Sequence, residues 1–225
     1  MKADLSKLCR ELGYSFAEPQ LIEQALTHRS AGGRNNERLE YLGDAILGFV
    51  IADELYKHFP EATEGQLSRL RSSLVKRDTL ADVAREYNLG DYLYLGQGEL
   101  RSGGQSRDSI LADGIEAIFA SIYLDGGYKA CREVILAIFT PRLRTMSMDS
   151  HRKDPKTELQ EYLQAKKIDL PSYEIAGING DPHNQLFTVT CNVSGLLDST
   201  TGQGASRRKA EQDAASRMLA LLKDE

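Results

Sequence analysis

Asn36-Glu37-Arg38-Leu39-Glu40-Tyr41-Leu42-Gly43-Asp44-Ala45-Ile46-Leu47 carries acids at i, i+3 and i+7, so Glu37, Glu40 and Asp44 fall on one face of a helix. Like charges at that spacing destabilise an isolated helix by about 0.2–0.5 kcal/mol per pair. Three acids on one helix ordinarily form a solvated face, and a second stretch shifts that reading. Ile110–Leu124 (ILADGIEAIFASIYL) is nearly all apolar, which implies burial on most sides. Its only charges are Asp113 and Glu116, again three apart and of the same sign, with no Lys or Arg in the segment to balance them. An unpaired buried carboxylate is costly and requires a counter-ion. A hard divalent cation supplies one, and an all-oxygen ligand set selects Mg²⁺ or Mn²⁺ over zinc. Glu64, in Glu61-Ala62-Thr63-Glu64, reads by itself as an acid at a helix start, favoured by the helix dipole.

Outward from these stretches, apolar residues recur at spacings of three and four from the beginning of the chain to about Met146. Segments 21–28, 37–57, 66–75, 78–88, 109–124 and 129–144 are therefore expected to be helices, with Asp78 and Ser109 as N-caps. Gly90, the run Gly96 to Gly104, and Gly126-Gly127 separate them. The glycine-rich run is a structural turn and not a P-loop, because no Gly-Lys-Ser/Thr follows it. Phe119, Tyr123, Tyr128 and Phe139 are assigned to the core.

The pattern changes across Thr145–Asp154, which is short, polar and without an apolar face. Residues 156–165 are helical, with Leu159, Tyr162 and Leu163 on one side. Residues 186–193 (LFTVTCNV) alternate with period two, which marks a half-buried strand. Tyr173–Ile178 and Leu196–Thr201 are weaker strand candidates. Residues 206–222 return to helix, with Ala210, Ala214, Met218 and Leu221 as the apolar stripe. The expected organisation is an all-α domain over 1–146, a linker over 147–153, and an α+β domain (α-β-β-β-α) over 154–225. The last helix opens with Ser206-Arg207-Arg208-Lys209 after Gly202-Gln203-Gly204. Three cations in a first turn oppose the macrodipole. Either they are simply solvated, or they face a phosphate together with the helix N-terminus.

The 225 residues hold 28 Lys plus Arg against 33 Asp plus Glu, a net charge of −5, with 41% hydrophobic and 27% charged residues. That balance excludes a disordered polyelectrolyte, and no apolar run is long enough for a membrane span. Cys9, Cys131 and Cys191 lack metal or redox spacing, and the N-terminus has no signal-peptide core. A reducing, cytoplasmic setting is expected. An acidic pI near 5.5 argues superficially against a nucleic-acid partner. Without the six acids Glu37, Glu40, Asp44, Glu64, Asp113 and Glu116, however, 28 cations face 27 anions.

Residues 36–47 (NERLEYLGDAIL) resemble the signature of the ribonuclease III family. Residues 154–164 (DPKTELQEYLQ), Pro171-Ser172-Tyr173, Gly180 with His183 and Phe187, and Gly202–Ala210 resemble a double-stranded-RNA-binding domain. The resemblance implies an endonuclease domain that binds Mg²⁺, with Mn²⁺ as a substitute, through Glu40, Asp44, Asp113 and Glu116. It places Glu37 and Glu64 at the cleavage site. It further implies that Thr157, Gln160, Glu161 and Gln164 meet an RNA minor groove, His183 the next one, and Arg207, Arg208 and Lys209 the phosphates. Tyr41 falls where the family has an aromatic dimer contact, although a solvated or core tyrosine accounts for it equally well. The implied activity is cleavage of double-stranded RNA by a homodimer. The products carry 5′-phosphate and 3′-hydroxyl ends with short 3′ overhangs, and ribosomal RNA precursors and other structured RNAs are the substrates. Glu211 stands where many such domains carry a further basic residue. A non-catalytic duplex binder is the competing reading, although a scaffold gains nothing from buried acids. An RNA deaminase is excluded by the absence of H-x-E and P-C-x-x-C.

Overall fold

Helix formation in the first block follows the apolar spacing, and the ends are set by local hydrogen bonding. The computed structural model describes residues 4–146, 154–181, 185–195 and 198–223. Helix α1 (Leu5–Leu12) starts on the Asp4 carboxylate, which accepts from Ser6 N at 2.9 Å. Helices α2 (Pro19–Ala25), α3 (Glu37–His58), α4 (Glu64–Val75), α5 (Arg77–Glu86), α6 (Gln97–Arg101) and α7 (Asp108–Thr145) follow. Thr63 and Gln66 close a reciprocal capping box on α4. The expected caps at Asp78 and Ser109 are displaced. Helices α5 and α7 begin at Arg77 and Asp108, so Asp78 and Ser109 lie inside the first turn.

The two helices expected over 109–124 and 129–144 form one continuous element, α7, broken at Gly127 (φ 76°, ψ −178°). Only glycine adopts that backbone geometry without strain. Helices α3 and α7 make the most extensive helix–helix contact of this unit. Leu47, Val50, Ile51, Leu55, Ile115, Ile118, Phe119 and Phe139 are among its fully buried residues. Tyr123 and Tyr128, expected in the core, are exposed beside the Gly127 break, and Tyr128 packs against Phe49 with ring centroids 5.9 Å apart. One face of α3 stays open: Tyr41 is 81%, Phe49 60% and Tyr56 71% exposed. No helix of the described residues is long and apolar enough to cross a membrane.

The chain divides into two compact units, 1–151 and 152–225. The expected linker, 147–153, lies outside the described residues. In the second unit α8 (Pro155–Ala165) precedes strands β1 (Ser172–Asn179), β2 (Leu186–Asn192) and β3 (Thr200–Gly204), and α9 (Arg207–Lys223) ends it. The sheet is antiparallel in the order β1-β2-β3. The alternation in β2 is realised: Val189, Cys191 and Val193 are buried, the last two in one cluster with Leu159, Leu163, Ala214 and Met218. Leu221 of the expected α9 stripe is only half-buried. Strand β3 lies later than the expected Leu196–Thr201, of which 196–197 are outside the described residues. Its pairing runs from Cys191↔Thr200 to Phe187↔Gly204. The shift follows from packing, because a Cβ on Gly202 would stand 2.1 Å from Ala214 N of α9. The glycine-rich approach to α9 thus seats a strand on a helix.

Candidate metal centre and nucleic-acid interface

The first site forms where α3 and α7 cross. A Cβ on Gly43 would lie 1.9 Å from the carbonyl oxygen of Glu116, so the two backbones meet there. Glu40, one turn before Gly43, thereby faces Asp113 and Glu116. Oxygens of these three carboxylates lie within 4.8 Å of one another. Glu116 is 9% exposed, and Glu40 and Asp113 are half-buried. Among the described residues none of the three forms a salt bridge.

The electrostatics follow from that crowding. Burial, then the charges of Asp44, Asp113 and Glu40, push the Glu116 carboxyl up to about 8. Glu40 is raised by burial, then by Asp113, Glu37 and Asp44, against the pull of Arg29. Asp113 is raised by burial, which outweighs Arg77, His28 and Arg29. Such a cluster suits a hard divalent cation, which replaces proton sharing by direct coordination.

Asp44 is exposed and outside the tight group of three, but its charge acts on Glu40 and Glu116. Glu37 sits at the rim, 3.6 Å from Arg29 and bonded by Asn35 Nδ2 at 3.1 Å. Glu64 lies apart from the cluster. It begins α4, accepts from Ser68 Oγ at 2.8 Å, and lines a different cleft of about 470 Å³ with Leu55, Tyr56, Leu67 and Arg71. The acid cleft, of about 520 Å³, also takes in His28, Arg29, Asn36, Glu99 and Arg107, which sequence reasoning missed. The helix expected over 21–28 ends at Ala25, and residues 27–31 follow outside it. They are placed by remote bonds: His28 N to Tyr94 O at 3.0 Å, Tyr94 N to Leu26 O at 2.9 Å, and Gly96 N to Ser30 Oγ at 3.0 Å. Arg107 is held by Glu99 at 2.7 Å.

In the second unit Thr157, Gln160, Glu161 and Gln164 lie along one exposed face of α8. Arg207, Arg208 and Lys209 occupy the exposed first turn of α9. Two of these cations are paired, Arg207 Nε with Glu211 Oε1 at 2.9 Å and Arg208 Nη2 with Asp154 Oδ2 at 3.6 Å. Lys209 has no ion pair among the described residues. His183 lies outside the described residues.

Residues 18–143 match the ribonuclease-III-like family and residues 155–222 match the double-stranded RNA binding motif. The chain belongs to the ribonuclease III family. Ribonuclease 3 of Nitrosococcus oceani is 55% identical over 224 residues, covering 99% of this chain and 96% of that protein. Ribonuclease 3 of Hahella chejuensis is 54% identical over 222 residues, covering 99% and 98%. The ribonuclease III nuclease domain of Campylobacter jejuni, in a structure concerned with flexibility in a region of dimer formation, superposes with a TM-score of 0.61 at 37% identity. It covers 63% of this chain and 99% of that one. In this ribonuclease III chain the match spans both units, the helical one with the acid cluster and the α-β-β-β-α one with the basic helix start.

Proposed function

We propose that this chain is an Mg²⁺-dependent endoribonuclease that hydrolyses double-stranded RNA. The observation that carries the reading is the cluster of Glu40, Asp113 and Glu116, three crowded carboxylates that form no salt bridge among the described residues, in a helical domain of the ribonuclease III family. Glu40, Asp44, Asp113 and Glu116 would hold the ion, with Mn²⁺ as a substitute. When bound, a divalent ion supplies Lewis-acid stabilisation of phosphate oxygens and lowers the pKa of attacking water.

The chain's own residues do the rest. Glu37 and Arg29 at the rim confine the phosphodiester to the cleft, and Arg107, paired with Glu99, lines it. The open face of α3, with Tyr41, Phe49 and Tyr56, suits a second copy of the chain, and the cleft holding Glu64 borders it at Tyr56. A homodimer brings one acid cluster to each strand, giving 5′-phosphate and 3′-hydroxyl ends with short 3′ overhangs. The second unit recognises A-form shape over about 16 base pairs with little base reading. Substrates on this reading are ribosomal RNA precursors and other structured RNAs of the cytoplasm, a setting in keeping with three free thiols.

The test compares wild type with Glu116→Gln on a long RNA duplex, with Mg²⁺ and with chelator. The variant is expected to bind duplex while its cleavage falls about a hundredfold or more, the scale of losing one transition-state charge stabiliser. Mn²⁺ titration by calorimetry should show the matching loss of metal affinity. Equal cleavage by both proteins would remove the metal assignment.

A further inference from the structure

Two carboxylates stitch together the starts of α8 and α9 in the second unit. Glu211 is 8% exposed, although it stands in the basic first turns of α9. Its Oε2 accepts from Lys156 Nζ at 2.6 Å and its Oε1 from Arg207 Nε at 2.9 Å. The Lys156 ammonium also lies 4.4 Å from the ring centroid of Tyr173 on β1. Asp154 forms a second bridge alongside. It accepts from Lys156 N at 2.9 Å and from Gln212 Nε2 at 2.6 Å, and it pairs with Arg208 at 3.6 Å. Burial opposes ionisation of Glu211, but the hydrogen bonds from Lys156 and Arg207 outweigh it and hold the carboxyl below its usual range.

We propose that Glu211 is a positioning residue for duplex recognition, fixing Lys156 of α8 and Arg207 of α9 at one separation and so adding Lys156 to the phosphate-contacting set. The proposal rests on the RNA-binding reading above. A mobile cation neutralises a phosphate anywhere along any polyanion. A-form RNA instead presents its minor-groove hydroxyls and its phosphates at a fixed spacing. Lys156 directly precedes Thr157, and Gln160 is one turn further on, so an anchored Lys156 ties the groove-facing side of α8 to the cationic turn of α9. Both cations keep donors for phosphate. An ammonium has three N–H groups, and Glu211 engages only the Nε edge of Arg207, whose side chain is 60% exposed. Were Glu211 simply a surface anion diluting the patch, its removal would strengthen binding. The two accounts predict opposite signs.

The experiment uses the full chain without divalent ions, with fluorescence anisotropy on an RNA duplex and on a DNA duplex of the same sequence, over a series of KCl concentrations. Glu211→Gln is expected to weaken RNA-duplex binding about five- to tenfold, while DNA binding holds or tightens through the lost negative charge. The preference for RNA over DNA thus falls by about an order of magnitude. Unchanged or tighter RNA binding, or an unchanged preference, overturns the proposal. Lys156→Met leaves the Glu211–Arg207 pair in place. It should lower the same preference and reduce the salt slope by about one. An unchanged slope removes Lys156 from the phosphate contacts, and this variant decides the matter if Glu211→Gln does not melt cooperatively. A wild-type chain that does not prefer duplex RNA would instead overturn the binding reading itself, before any variant is compared.

Discussion

Gly43 carries no side chain into the crossing of α3 and α7, where a Cβ would fall 1.9 Å from the Glu116 carbonyl oxygen, and that approach sets how near Glu40 comes to Glu116. Gly43→Ala must push the helices apart. It is expected to destabilise the chain by about 1–3 kcal/mol in urea denaturation and to weaken Mn²⁺ binding, although no acid is altered. A variant with wild-type stability and metal affinity would show that the crossing does not set the spacing. Asp113 and Glu116 were legible in the sequence because a charge inside an apolar helix is anomalous. Glu64 was not legible from the residues themselves, since an acid at a solvated helix start has an ordinary explanation. His28 and Arg29 reach the cleft through bonds to residues 94–96, a register that no local pattern encodes.

Helix α9 carries its exposed cations in its first turn and its packing in the rest. Ala210, Ala214 and Met218 bury one stripe, and Arg207, Arg208 and Lys209 stay exposed at the start. Replacing both Arg207 and Arg208 by Ala should lower duplex affinity and flatten its salt dependence by up to about two in slope, read from binding over a KCl series. An unchanged slope would take both residues out of the phosphate contact. Periodicity identified this helix and strand β2 because each buries one face of a regular pattern. It placed β3 too early because Leu196 and Leu197 look more strand-like than the glycine-bearing Thr200–Gly204. Only the close approach to Ala214, invisible in one dimension, makes glycine the better choice there. The caps at Asp78 and Ser109 missed for a similar reason: each helix gains one more residue before its chain direction changes.

Across the whole molecule, the net charge of −5 conceals two units with opposite responses to pH. The folded Glu116 carboxyl, near 8, lies above its ordinary 4.5. Its contribution to stability is complete below that ordinary value, declines as pH rises and is gone above about 8. In Glu211 the hydrogen bonds from Lys156 and Arg207 win over burial, so the folded value is depressed. Its contribution is complete above the ordinary 4.5 and is lost as pH falls through the lowered value. Calorimetry in chelator should therefore show the nuclease-unit transition falling between about pH 4.5 and pH 8 and level above that, while the binding-unit transition holds and falls only in acid. Mg²⁺ should flatten the first dependence. A nuclease-unit transition flat with pH in chelator would contradict the burial of Glu116. The break at Gly127 has a consequence for packing as well. An unbroken helix of 38 residues would be a stiff rod about 57 Å long, running from the acid cleft to Thr145. With the helix kinked at Gly127, the arm carrying Asp113 and Glu116 and the arm ending at Thr145 each bury their own apolar residues in one core. Asp113 and Glu116 stand on the first arm and Glu40 and Asp44 on α3, so the two helices that hold the acids meet ahead of the kink.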